Sequence, residues 1–147
     1  MNEETMKAIT SVDEYFYCVG RIIFFCQCIE HDVKKIYLWM RDHWSQGEED
    51  EVMNRWTLGE AVNALHRLDS EAKSPYFSSG DYKLLGEVTK IRNHCVHKCF
   101  QDWVYKIGEE HCKAYEKSAS RMLNEHNRLA KVYRIVEMVR IEYTQKN

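Results

Sequence analysis

Ser11 and Glu14 open a run in which Val12, Phe16, Val19, Ile23, Cys26, Ile29, Val33, Tyr37, Met40 and Trp44 return every three or four residues. That spacing lines them along one side of an α-helix, and the S-x-x-E pair satisfies free backbone amides at its start. One uninterrupted helix is therefore expected from Ser11 to about Trp44. Ile22, Phe24, Phe25, Ile36, Leu38 and Trp39 widen the apolar stripe beyond one face. Such a helix needs cover on two sides, and a partner subunit could supply the second.

The rest of the chain must provide the first cover. Residues 45–51, "SQGEEDE", read as a polar, acidic connection. Thr57 with Glu60 is a second capping pair, and Leu58, Ala61 or Val62, Leu65 and Leu68 follow at helical spacing, so a short helix is expected over about 57–72. "KSPYFSSGD" (73–81) holds the single proline and reads as a loop whose Asp81 can cap the next helix, over about 82–103. Beyond Gly108 a final helix over about 109–143 carries Tyr115, Ala119, Met122, His126, Leu129, Tyr133, Val136 and Arg140 on one stripe. His126 has no ligand-type neighbours there and reads as a satisfied or exposed helix residue. No strand pattern and no internal repeat occurs. The expected fold is all-α, an antiparallel four-helix bundle with long first and last helices, formed as a single domain over residues 1–147.

Composition agrees with this and narrows the partners. With 44% hydrophobic residues, one proline and six glycines, the chain is too apolar to be disordered and too poor in turn residues for an all-β fold. A net charge of −2 excludes the broadly basic surface of a protein that grips long duplexes through their phosphates, but leaves room for a locally basic cleft. The start, "MNEETMKAIT", lacks the apolar core of a secretory signal, and no run reaches the roughly 18 apolar residues of a membrane span. A soluble, cytoplasmic protein without membrane contact is expected, with its six cysteines (18, 26, 28, 95, 99 and 112) reduced.

The densest chemistry lies in "KIRNHCVHKCF", residues 90–100. At about 100° per residue, with Val88 at zero, Leu84, Ile91, Cys95 and Cys99 fall within about 60° and form a core face. Arg92 lies near 40°, Val96 near 80°, Phe100 near 120°, Asn93 near 140° and His97 near 180°. His94 lies roughly 60° further round, beyond His97. A metal site would need converging ligands, but the cysteines face away from His97, and Cys26 and Cys28 are about 200° apart on their helix. No metal and no cofactor is expected. A solvated polar face and a phosphate-handling site built on Arg92, Asn93 and His97 both remain open on these grounds.

"TLGEAVNALHRL", followed about twenty residues later by "YKLLGEVTKIRNHCVHKCF", resembles the HEPN superfamily of small all-α proteins, whose hallmark is R-N-x-x-x-H on the helix before a long terminal helix. Arg92, Asn93 and His97 stand in that pattern, and the resemblance spans roughly residues 10–143. It implies a metal-independent endoribonuclease of toxin or phage-defence type, acting on RNA as a homodimer, with an antitoxin or other protein as a further partner. In that chemistry the ribose 2′-hydroxyl is the nucleophile, His97 moves the proton and the forked Arg92 guanidinium holds phosphate charge. Asn93 orients the imidazole or donates to the phosphate. The toxins paired with minimal nucleotidyltransferases carry a modified tyrosine two positions after the motif histidine; here that position is Cys99. The resemblance also admits a catalytically inactive module that binds a nucleotide or a protein partner.

Overall fold

The computed structural model describes residues 5–41 and 43–146. Five helices follow one another: α1 (Val12–Met40), α2 (Gln46–Asn54), α3 (Leu58–Ser70), α4 (Ser79–His97) and α5 (Gly108–Lys146). Among the described residues there is no strand, and no helix is long and apolar enough to cross a membrane.

The helix starts follow from local chemistry. The Glu14 amide donates to Ser11 Oγ at 3.1 Å, while the Glu14 carboxylate accepts from the Thr10 amide and hydroxyl at 3.0 and 2.7 Å. Those Thr10 bonds lower the Glu14 pKa. Thr57 caps α3 in the same way, accepting from the Glu60 amide at 3.2 Å. The acidic run read as a loop is instead α2. Ser45 accepts from the Glu48 amide at 3.1 Å, and Glu48 and Glu49 occupy the first turn, where the helix dipole favours them. Their side chains reach Arg41 and Lys35, each at 3.0 Å. With only Val52 buried, α2 lacks the apolar stripe that marks the other helices. α1 stops at Met40, short of Trp44, whose indole donates to Glu49 at 3.3 Å.

The chain divides into two compact units. One joins the chain up to Cys26 with Lys90–Lys131; the other joins Gln27–Thr89 with the chain from Val132 onward. The second unit is built on Ile29, Val33, Ile36, Leu65, Leu85, Val88 and Val136, all buried. Leu85, rather than the expected Leu84, fills the α4 position here, and Leu84 is half-buried. The 73–81 segment is organised by Asp69, a fully buried carboxylate that accepts from the Tyr76 and Phe77 amides at 2.9 and 3.1 Å and from the Tyr82 hydroxyl at 2.6 Å. Burial, reinforced by that bond, raises the Tyr82 pKa. The His66 ring stacks on Tyr82 with centroids 4.0 Å apart.

In the first unit α1 buries Val19 and Cys26 of the expected stripe, but at the start of the helix its inward side is shifted. Tyr15, Cys18, Ile22 and Phe25 are buried, while Val12 and Phe16 are 45% and 55% exposed. Tyr15 takes the inner position because its hydroxyl finds partners there, Cys99 O at 3.0 Å and Ser118 Oγ at 2.7 Å, so that its ring can be buried without stranding a polar atom. Burial also pushes the Cys18 thiol up to about 12, which keeps it protonated. His126 is fully buried. Arg21 Nε donates to its Nε2 at 2.8 Å and its Nδ1 meets Asn127 Oδ1 at 2.9 Å, an oxygen that also accepts from the Met6 amide. Those partners assign the neutral Nδ1–H tautomer. Burial lowers the His126 pKa accordingly.

Candidate functional site

α4 ends at His97 rather than near 103, and a series of tight turns carries the chain back to α5. The Lys98 and Cys99 amides both donate to His94 O, at 2.9 and 3.0 Å, the four- and five-apart bonds that close the end of the helix. The Cys99 carbonyl is then held by the Tyr15 hydroxyl, and the Cys99 thiol donates to Cys95 O at 3.0 Å. Gly108 begins α5 with φ +63°, a left-handed conformation that a residue with a Cβ adopts at a cost. The end of the motif helix is thus tied to α1 and to the turn beyond it by buried bonds.

Cys95 and Cys99 lie on the buried face of this helix, 3% and 0% exposed, and both are free thiols. The thiol contact with Cys99, together with burial, raises the Cys95 pKa. On the other sides the helix is open. Arg92, Asn93 and His97 are all exposed, and none of them makes a side-chain hydrogen bond or ion pair among the described residues. Val96 beside them is 55% exposed. Phe100, expected at the same rim, is only half-buried, and its ring packs on Tyr15 and Phe16 with centroids 5.5 and 5.2 Å apart. Helical geometry places Asn93 and His97 on nearly one face, about 40° apart, but separates Arg92 from His97 by about 140° and about 7.5 Å along the axis. In one copy the guanidinium and the imidazole therefore leave the helix in divergent directions.

His94 departs from expectation. It does not project into solvent beyond His97; its side chain is 9% exposed. Nε2 donates to Asp102 Oδ2 at 2.8 Å, and Nδ1 lies 3.6 Å from Glu125 Oε2. Both atoms of the longer contact are buried without a hydrogen bond. Glu125 in turn accepts from Arg121 Nε at 2.9 Å. The row Asp102, His94, Glu125, Arg121 alternates in charge when His94 is protonated. It forms because the turns after α4 fold Asp102 back over His94 while α5 delivers Glu125, a convergence with no trace in local spacing. The two carboxylates approach opposite ring nitrogens, so they do not form a ligand set, and no group of three or more His, Cys, Asp or Glu side chains among the described residues could hold a metal ion.

Comparison with known families, curated proteins and solved structures finds no match to the chain.

Proposed function

We propose that the protein is a metal-independent endoribonuclease of HEPN type, in which α1, α3, α4 and α5 form the four-helix arrangement and α2 is an addition to the first connection. The observation that carries this reading is the state of Arg92, Asn93 and His97: three polar side chains on the last turns of one helix, exposed and unengaged among the described residues. A permanently charged fork and an imidazole are the minimum that RNA cleavage needs, because the substrate brings its own nucleophile. His97 removes the proton from the 2′-hydroxyl or delivers one to the leaving 5′-oxygen. Arg92 holds the phosphate oxygens as charge builds on them. The products carry 2′,3′-cyclic phosphate ends.

The divergence of Arg92 from His97 favours a composite site. A phosphate gripped by Arg92 of one copy is met more directly by His97 of a second copy whose α4 faces the first. Apolar side chains stand exposed on both helices: Phe16, Tyr17 and Phe24 on α1 and Val96 on α4 are each more than half exposed, and Val12 is 45% exposed. Exposed apolar surface of this kind fits an interaction face, and we assign it to a homodimer. A toxin or phage-defence role, with an antitoxin as partner, fits an RNA-cleaving activity of this kind.

The test is incubation of the purified protein with mixed RNA in the presence of EDTA, alongside sedimentation at micromolar concentration. Cleavage into fragments with cyclic ends, by a dimer, is expected. A monomer with no activity on any RNA would leave the inactive module, binding a nucleotide or protein partner, as the better account.

A further inference from the structure

A groove of about 440 Å³ runs between the turns after α4 and the exposed side of α5. Four cations edge it, Lys106, Lys113, Lys117 and Arg121, against two carboxylates, Asp102 and Glu110. The carboxylates are engaged: Glu110 accepts from Lys106 at 3.1 Å, and Asp102 accepts from His94. Arg121 is paired with Glu125. Lys113 and Lys117 have no acidic partner among the described residues and are exposed. The groove's unneutralised charge is therefore positive in a chain whose net charge is −2. Lys113, Lys117 and Arg121 are four residues apart, so they form one row about 12 Å long on the helix. At about 3.4 Å of rise per phosphate in a stacked strand, such a row faces three or four phosphates.

Tyr105 and Ile107, the chain neighbours of Lys106 at the groove's edge, are 82% and 84% exposed, the highest values among the large apolar side chains of the described residues. A cationic row with an open aromatic ring close to it in the chain is the combination that single-stranded nucleic acid uses, with phosphates along the charges and a base against the ring. An acidic protein segment would use the charges and leave the ring without a role.

We infer that this groove is a binding track for single-stranded RNA, separate from Arg92, Asn93 and His97, in which Lys113 and Lys117 contact the phosphodiester backbone and Tyr105 stacks on a base. The choice of RNA rests on the function proposed above; the groove, its charge and its exposed ring do not. Two groups link the track to the motif helix. Asp102 lines the groove and bonds His94, and His94 lies one turn before His97 on α4. A strand lying along the track is thereby brought beside the helix that carries the proposed chemistry.

The experiment uses the full chain and a fluorescein-labelled 12-nucleotide 2′-O-methyl-uridine strand, which has no free 2′-hydroxyl to attack the backbone. Affinity is read by anisotropy across a salt series. Wild type should bind, and K113E/K117E should bind at least tenfold more weakly, with a slope of log affinity against log salt reduced by about 1.4, two single-strand phosphate contacts at about 0.7 each. Y105A should weaken binding about tenfold while keeping the wild-type slope. All three side chains are exposed, so the variants should keep the wild-type melting curve. No binding by wild type, or equal affinity and slope in K113E/K117E, would overturn the inference. Equal binding of a poly-glutamate peptide of the same charge would overturn the assignment to nucleic acid. Cleavage of RNA by wild type, assayed in parallel, separates the two proposals: a protein that binds the strand through these residues but cuts no RNA keeps the track and loses the nuclease. One that cuts RNA with no dependence on Lys113 and Lys117 keeps the nuclease and loses the track.

Discussion

Replacing Asp69 with alanine tests how the second unit is held together. The carboxylate is fully buried, and its two oxygens serve three donors: the amides of Tyr76 and Phe77 and the hydroxyl of Tyr82. Phe77 and Tyr82 are 3% and 7% exposed, so water cannot replace the acceptor for either of them without opening the segment. A buried donor left without a partner costs roughly 1–3 kcal/mol, and the Tyr76 amide, which is only part-buried, adds less. The sum is about 3–5 kcal/mol, a large share of the 5–15 kcal/mol that ordinarily separates folded from unfolded chains. At about 2–4 °C per kcal/mol for a chain near this size, the melting temperature should fall by roughly 6–20 °C. Tyr82→Phe removes one charge-assisted bond and should cost about 1.5–3 kcal/mol. Asp69→Asn keeps one acceptor oxygen and should fall between wild type and Asp69→Ala. Urea unfolding followed by circular dichroism at neutral pH gives these values, and hydrogen exchange should show the Tyr76 and Phe77 amides losing protection first. A loss below about 1 kcal/mol in Asp69→Ala would refute the argument that these donors depend on the carboxylate.

The proposed chemistry predicts that His97→Ala lowers RNA cleavage by about 10²-fold or more. Arg92→Lys should also fail, because an ammonium keeps the charge without the fork. Both variants should retain wild-type stability, since both side chains are exposed and unengaged, and full activity in His97→Ala would remove the nuclease reading. His94→Ala should not be silent: it leaves Asp102 and Glu125 facing one another without the ring between them, and a loss of about 1–2 kcal/mol in urea unfolding is expected. His126 supplies a pH dependence of known sign. Its pKa is lowered in the folded chain, so below the unfolded value near 6.5 the unfolded chain takes up a proton that the folded chain does not. Stability should therefore decline as pH falls from 7 toward 5, and the decline should be shallower in His126→Gln; an unchanged slope in that variant would assign the effect elsewhere.

The parts of this protein legible in its sequence are those decided within one or two helical turns. Ser11 with Glu14 and Thr57 with Glu60 cap α1 and α3 because each pair meets across a single turn. Ser45 with Glu48 does the same for α2, and the signature was present although the acidic, non-periodic residues after it read as a loop. The wheel of α4 likewise placed Cys95 inward and Asn93 and His97 away from it, because helical phase alone separates those faces, whereas Arg92, near the border at about 40°, was found exposed only in the structure. Choices between near-equal apolar faces, and the partners of buried polar groups, were made by distant chain. Tyr15 displaced Phe16 from the core because Cys99 and Ser118 offered its hydroxyl an acceptor and a donor, 84 and 103 residues away. His94 is covered because Asp102 and Glu125 close on it from the following turn and from α5; His126 is buried because Arg21 and Asn127 take both ring nitrogens; Asp69 is buried because three donors from a later segment meet it. A hydrophobic period reports how much apolar surface a helix must hide, whereas a buried polar group is tolerated only where its hydrogen-bond partners arrive, and those come from parts of the chain that spacing does not connect.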